Sequence, residues 1–367
     1  MKATPLRIGF FSPTINRIGG GEWITLNMIH ALESKGHEVL VYSAEKVNPK
    51  HIQDFYGRPL HFNEINFPSY IFDPFNLESI YPNCIRSLLL KTRCDLLIDT
   101  FSNVLLPWSD AVYFHAPSRG FFLPRKGLKG LILMPYRGIL TYAQKHANPE
   151  EKILMACSKW TAKITKIITG LNPKVVYPPI SDFFKINTEK IQAKKDIIVT
   201  VSRISHEKRV ETIPQIANMV NANLKFIIIS KCNLPLEIEG LKKLKKSVKE
   251  NNVEDKIEIL LNISREKQRE ILQQSKVYLH PNVMYETFGV SILEAMSAGC
   301  VAIAPNKGGI KEFVPDKLRY NSIEEAASLV ETVIANWSPK KAKESTRISK
   351  KFSQQRFQKE FLDAMKL

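Results

Sequence analysis

Short apolar runs recur along this chain, and most of them are separated by an amphipathic stretch of helical length. "LRIGFF" (6–11) reads as a strand, "EWITLNMIHALESKG" (22–36) as a helix ending at Gly36, and "HEVLVYS" (37–43) as a strand. Together they make one βαβ unit. After an irregular stretch come "CDLLIDT" (94–100), "AVYFHA" (111–116), a helical segment around 128–147, and "KILMACS" (152–158). A helix from Lys159 leads to "KVVYPP" (174–179), a strand whose Pro178-Pro179 closes the first half.

The second half begins afresh with "DIIVTVS" (196–202), "VETIPQIANMV" (210–220) and "KFIIIS" (225–230), read as strand, helix and strand. A Lys-rich helix (238–250) leads to the strand "KIEILLN" (256–262), and Ser264 caps a helix over 264–275. "VYLHP" (277–281) and "VAIAP" (301–305) complete the strands, with the helix "FGVSILEAMSA" between them, stopped by Gly299. Ile/Val-rich strands without polar alternation belong to a parallel sheet covered on both faces. A chain of 367 residues exceeds one ordinary core. The expectation is therefore α/β, two doubly wound domains: 1–180, 181–352, and a last helix, 353–367, crossing back to the first. Ligands of such sheets sit beyond the carboxyl ends of the strands.

The formal net charge of +17 calls for an anionic partner without choosing among nucleic acid, membrane and phosphorylated substrate. Five scattered cysteines with no CxxC argue against a disulfide framework or zinc site and fit a reducing cytoplasm. The start "MKATPLRIGFFSP" reads as a strand rather than a signal peptide, and no apolar run reaches spanning length. No Asp-x-Asp, HExxH or G-x-S-x-G occurs, so neither a metal-bridged diphosphate nor serine hydrolysis is indicated.

Several residues have the chemistry and position of a site. In "YETFGVSILEAMSAG", Glu286 lies on the loop before a helix and Glu294 within it, so the two need not face each other as an acid/base pair. The helix start near Phe288, Gly289 and Val290 offers amides and a positive dipole end to a phosphate or sugar hydroxyl. Otherwise the two glutamates are a loop acid and a helix-face acid. In "VSRISHEKRV", Arg203 and Lys208 leave the carboxyl end of a strand, as diphosphate ligands or as solvated cations. Gly19-Gly20-Gly21 and Gly308-Gly309 each follow a strand and permit close backbone approach to an anion, or simply a turn. His115, ending an apolar strand, is either a hydrogen-bonded rim residue or a ligand of a sugar hydroxyl.

Taken together, "ETFGVSILEAMSAGCVAIAPNKGGIKEFV" (286–314) and "SRISHEK" resemble the E-x7-E block and phosphate loop of the retaining, nucleotide-sugar-dependent GT-B glycosyltransferases, the glycogen synthase and phosphatidylinositol mannosyltransferase relatives. "GGGEW" and "YFHAPS" are similar to the α-1,2-mannosyltransferases acting on dolichol-linked oligosaccharide. The resemblance implies a GT-B fold, two Rossmann-like domains facing across a cleft, and metal-independent transfer of a hexose with no resident cofactor. It places Glu294 on the donor ribose, Glu286 and His115 at the donor sugar, and Phe288, Gly289 and Val290 as backbone ligands of sugar and phosphate. Arg203, Lys208, Gly20 and Gly21 are implied at the diphosphate. Ser230-Lys231 stands where many relatives carry a glycine-rich turn, so base recognition departs from the pattern there. GDP-mannose is the implied donor, ahead of UDP-glucose or UDP-N-acetylglucosamine, and a polyprenyl-linked saccharide or other glycan the acceptor.

From Ala111 to Pro149 no acidic residue occurs, and Arg119, Arg125, Lys126, Lys129, Arg137 and Lys145 mingle with Phe121, Phe122, Leu131, Ile132 and Leu133. The 119–147 segment is expected either to rest on an anionic membrane, on its cytoplasmic face, or to be a core helix with solvated lysines. A non-catalytic nucleic-acid- or membrane-binding module is the rival class. Nucleic acid is not expected, because aromatic–basic alternation is missing and "LKKLKKSVKE" reads as a solvated helix face.

Overall fold

Most of the five- and six-residue strands are buried along most of their length, and they fall in two separate sets. The structure, a computed structural model, describes residues 4–66, 79–117, 125–146, 148–221 and 223–367. It divides into a first unit, 1–179 with 354–367, and a second, 180–353. The fold class is α/β, with a parallel sheet of seven strands and another of six.

In the first unit the strands are β1 (Arg7–Phe11), β2 (Glu38–Tyr42), β3 (Asn63–Ile65), β4 (Leu96–Asp99), β5 (Ala111–Phe114), β6 (Ile153–Ala156) and β7 (Lys174–Val175). Their spatial order is β3-β2-β1-β4-β5-β6-β7, so the winding reverses between β1 and β4. The helices are α1 (Gly20–Ser34), α2 (Pro49–Tyr56), α3 (Ile80–Lys91), α4 (Gly127–Ile132), α5 (Met134–His146) and α6 (Lys159–Thr169). The stretch expected to be irregular thus holds α2, β3 and α3. The Asn48 side chain caps α2 and Pro49 occupies its first turn, signals that periodicity alone does not register. The helix expected around 128–147 is two, broken at Leu133. The strand expected over 174–179 pairs only at Lys174–Val175, because Pro178-Pro179 offers no donor to a ladder.

The second unit contains β8 (Lys195–Val201), β9 (Lys225–Ser230), β10 (Ile257–Leu261), β11 (Ser275–Leu279), β12 (Val301–Pro305) and β13 (Arg319–Tyr320). Their order is β10-β9-β8-β11-β12-β13, reversing between β8 and β11. Helices α7 (Thr212–Met219), α8 (Pro235–Glu250), α9 (Arg265–Gln274), α10 (Val290–Ser297), α11 (Ile323–Ala335) and α12 (Pro339–Ser349) surround it. Ile198, Ile228, Val277 and Ile303 from four adjacent strands join Ile213, Ile216 and Val330 of two helices in one apolar core. The Ser264 side chain accepts from Lys267 N at 3.2 Å, the cap its sequence predicts.

The last helix, α13 (Gln354–Met365), packs on α1 within the first unit. Phe357 and Phe361 are fully buried there, Gln354 donates to Asn27 Oδ1 at 3.0 Å, and Arg356 donates to Tyr177 O at 2.7 Å.

Candidate active site

In a parallel sheet the switch point leaves a crevice where neighbouring strands send their connections in opposite directions. In the second unit that point lies between β8 and β11. The loop leaving β8 carries Arg203 and Lys208, and the loop leaving β11 carries Glu286. The structure brings two of these together. Lys208 Nζ donates to Glu286 Oε2 at 2.5 Å, with both side chains largely buried. His280, at the end of β11 and 1% exposed, places Nε2 3.2 Å from the same oxygen. A carboxylate only accepts, so Nε2 carries the proton. Burial by itself raises the Glu286 pKa; the Lys208 ammonium and the His280 hydrogen bond outweigh it and hold the carboxyl well below the usual range. Among the described residues no hydrogen bond reaches Oε1, which remains available to a ligand. The sequence did not single out His280. Its signal is the histidine closing "VYLHP" at a carboxyl edge.

The loop bearing Glu286 is held by apolar and glycine packing. Phe288 is buried in a ring cluster with Phe313 and Phe352, at centroid distances of 5.3 and 5.5 Å. Gly289 has φ +100°, so α10 begins at Val290 and not at Phe288 as its sequence suggests. Gly309 N donates to Glu286 O at 2.9 Å. A Cβ on Gly308 would lie 1.9 Å from Glu286 O, and one on Gly309 2.2 Å from Thr287 O. The second glycine pair therefore admits the backbone of the Glu286 loop, a role spacing alone does not reveal.

Glu294 sits within α10, and burial pushes its pKa up to about 7, opposed by the charge of Arg265. Among the described residues nothing donates a hydrogen bond to its carboxylate. Arg265 lies over the Phe183 and Phe184 rings at 4.9 and 5.4 Å. Arg203 is mostly exposed, 3.9 Å from Glu207, and is not part of the buried cluster. Ser230 ends β9, its hydroxyl donating to Lys231 O at 2.9 Å, and Lys231 is exposed at the same carboxyl edge. Asn262, following β10, donates its N–H to Ser230 O at 2.9 Å.

In the first unit the corresponding edge carries Gly19-Gly20-Gly21 after β1, Thr100 after β4 and His115 after β5. Gly20 and Gly21 open α1. A Cβ on Gly21 would lie 3.8 Å from the His115 ring, an ordinary van der Waals contact, so the imidazole borders this glycine without requiring it. His115 Nε2 is 2.8 Å from Thr100 O, which places its proton on Nε2 and makes Nδ1 an acceptor in the neutral ring. The Asp99 carboxylate accepts from Phe101 N and Ser102 N at 2.9 and 2.8 Å, fixing the turn that presents Thr100. Glu22, also in the first turn of α1, accepts from Thr14 Oγ1 at 2.7 Å. A carboxylate at that helix end is stabilised by the dipole and competes with a phosphate for it.

Two Rossmann-like units in one chain make the GT-B fold. Residues 182–352 match the family described as glycosyl transferases group 1. It is 25% identical over 262 residues to "GDP-Man:Man(3)GlcNAc(2)-PP-Dol alpha-1,2-mannosyltransferase" of Dictyostelium discoideum, a match covering 63% of this chain and 50% of that protein. The chain thus spans half the length of that relative. It is 23% identical over 362 residues to "Phosphatidylinositol N-acetylglucosaminyltransferase gpi3 subunit" of Schizosaccharomyces pombe, covering 92% and 74% of the two chains. Among solved structures it resembles Anabaena HepE in complex with UDP and glucose, with a TM-score of 0.74 at 16% identity, covering 98% and 99% of the chains.

Proposed function

We propose that this chain transfers a hexose from a nucleotide sugar to a lipid-linked saccharide or other glycan, with retention and without a metal ion. The carrying observation is the buried Glu286 carboxylate, held by Lys208 and His280 through one oxygen while the other stays open. In this reading Oε1 accepts from a hydroxyl of the donor sugar. Lys208 spends one N–H on Glu286, leaving donors for the departing phosphate. Arg203 and the start of α10 share that charge, with Phe288, Gly289 and Val290 as the backbone around the sugar and phosphate. Glu294 takes the ribose hydroxyls, and Ser230 and Lys231 lie toward the base. Gly20, Gly21 and His115 serve the donor from the first unit.

The C1–oxygen bond to the diphosphate breaks as the acceptor oxygen bonds C1 on the same face. The acceptor proton passes to the leaving phosphate oxygen. Each charge-assisted hydrogen bond to the departing group contributes about 1.5–3 kcal/mol, roughly one to two decades in rate.

GDP-mannose is the favoured donor, supported by the name of the Dictyostelium relative. A UDP-sugar is the second reading, supported by the N-acetylglucosaminyltransferase name of the yeast relative, whose match covers most of this chain.

The acceptor side is read as an anionic membrane surface, on the cytoplasmic face. Among the described residues no helix is long and apolar enough to cross a membrane. Leu128, Leu131, Ile132 and Met134 are exposed on α4 and α5, beside Lys126, Lys129, Arg137 and Lys145, whereas Leu133 is buried. Arg119, Phe121 and Phe122 lie outside the described residues. Thermal-shift measurements with GDP, UDP and their sugars test the donor assignment. Stabilisation by GDP and GDP-mannose is expected, and no shift with any of them would overturn the reading.

A further inference from the structure

Apart from Lys208, the contacts around Glu286 continue inward through His280. Its Nδ1 lies 3.2 Å from the Tyr278 hydroxyl, which is itself 3.0 Å from Ser291 Oγ and 3.0 Å from Val201 O. The Tyr278 and His280 rings stack at 6.1 Å. The backbone around the histidine is pinned as well: Tyr320 Oη donates to His280 O at 2.7 Å and Thr200 Oγ1 to Leu279 O at 2.7 Å. Side chains from β8, α10 and β13 thus hold the backbone of His280 and its Tyr278 neighbour, and the ring nitrogen that faces away from Tyr278 meets Glu286.

We infer that His280 is a positioning residue for the transfer reaction, holding Glu286 Oε2 through Nε2–H so that Oε1 is aimed at the donor sugar. The inference rests on the reading of Glu286 given above. Proton accounting supports it. With Nε2–H donating to the carboxylate, Nδ1 of the neutral ring is an acceptor, 3.2 Å from a Tyr278 hydroxyl whose one proton also faces Val201 O at 3.0 Å, while Ser291 O–H can donate to the tyrosine oxygen. Burial and the nearby Lys208 charge both favour the neutral ring, opposed by Glu286. A core histidine with no role beyond packing has no need of a donor aimed at a carboxylate that Lys208 already pairs. Two restraints on one oxygen, from different loops, fix direction as well as charge. Lys208 supplies the charge, and His280 supplies the second point that stops the carboxylate from rotating.

The test combines imidazole NMR with kinetics. Nitrogen-15 spectra of the wild-type protein are expected to show the Nε2–H tautomer of His280 at neutral pH. Donor hydrolysis, with water as acceptor and GDP-mannose and UDP-N-acetylglucosamine as probes, reads the reaction. For His280→Ala, kcat is expected to fall about 10- to 100-fold, with the Kd for free GDP or UDP within about 3-fold of wild type. His280→Gln, whose amide donates from near the Nε2 position, should recover most of the loss. An Nδ1–H tautomer, wild-type kcat in His280→Ala, or parallel loss of nucleotide binding would overturn the assignment. If the wild-type protein turns over neither donor, the reading of the site's reaction falls instead, and the tautomer result still decides for or against His280.

Discussion

Replacing Lys208 by methionine removes the ammonium from Glu286 while keeping most of the aliphatic stem. The two side chains are 19% and 10% exposed and 2.5 Å apart, so solvent screens the pair little. At an effective dielectric of about 20 and roughly 3 Å, opposite unit charges attract by about 5 kcal/mol. Desolvation offsets much of that in the intact pair, but removing one partner leaves a buried carboxylate, which typically costs about 3–5 kcal/mol. The remaining His280 hydrogen bond places the expected loss near about 3 kcal/mol. Calorimetry or denaturant unfolding of K208M, E286Q and K208M/E286Q would measure it. The double variant should recover at least half of the K208M loss, because its neutral amide leaves no stranded charge. The pH dependence is a second readout. The Glu286 pKa is lower in the folded than in the unfolded chain, so its stabilisation is present above about pH 4.5 and disappears as pH falls through the folded value. In K208M this acid slope should flatten. A K208M loss below about 1 kcal/mol, or strictly additive losses in the double variant, would refute the coupling.

Glu294 has the opposite sign. Its folded pKa is raised to about 7, so its contribution favours the fold at low pH and is lost as pH rises from about 4.5 through 7. E294Q should flatten that slope, and nucleoside diphosphate affinity, which needs the carboxylate in the proposed role, should rise with pH across about 6–8 in wild type only; titration calorimetry at several pH values checks this. Gly308→Ala forces a Cβ into Glu286 O and adds strain at φ +57°, so a stability loss of about 1–3 kcal/mol and at least a tenfold fall in kcat are expected. Circular dichroism melts with donor-hydrolysis rates would show otherwise if the loop simply shifts. For the membrane reading, Leu131→Glu with Ile132→Glu should abolish co-sedimentation with anionic vesicles and spare nucleotide binding; undiminished sedimentation would contradict it.

The fold was legible because strand burial and helix stops are local. Gly299 ends its helix with φ +79°, Gly36 and Gly170 likewise sit at positive φ, and Ser264 caps where its pattern indicates. The region 44–93 was less legible because α2 and β3 are short and their signal lies in Asn48 and Pro49 rather than in periodicity. Within the site, Glu286 and the Lys208 loop stood out as residue types at strand ends, but their pairing spans 78 residues and depends on β8 and β11 being neighbours. Nothing local in the sequence encodes that adjacency. His280 was hidden for a related reason, since a histidine closing an apolar strand looks the same whether it packs or positions. For the second glycine pair the sequence left an anion or a turn open, and the close surface the structure shows there is this chain's own backbone at 286–288.

The central claim is that Glu286 serves sugar transfer with retention at C1. The most direct measurement incubates the purified chain with each nucleotide sugar and a short polyprenyl-linked saccharide, and determines the product's anomeric configuration by NMR. The account expects an α-linked hexose from an α-configured donor, with the rate falling at least tenfold in Glu286→Gln. A β-linked product, or transfer indifferent to Glu286, would contradict it.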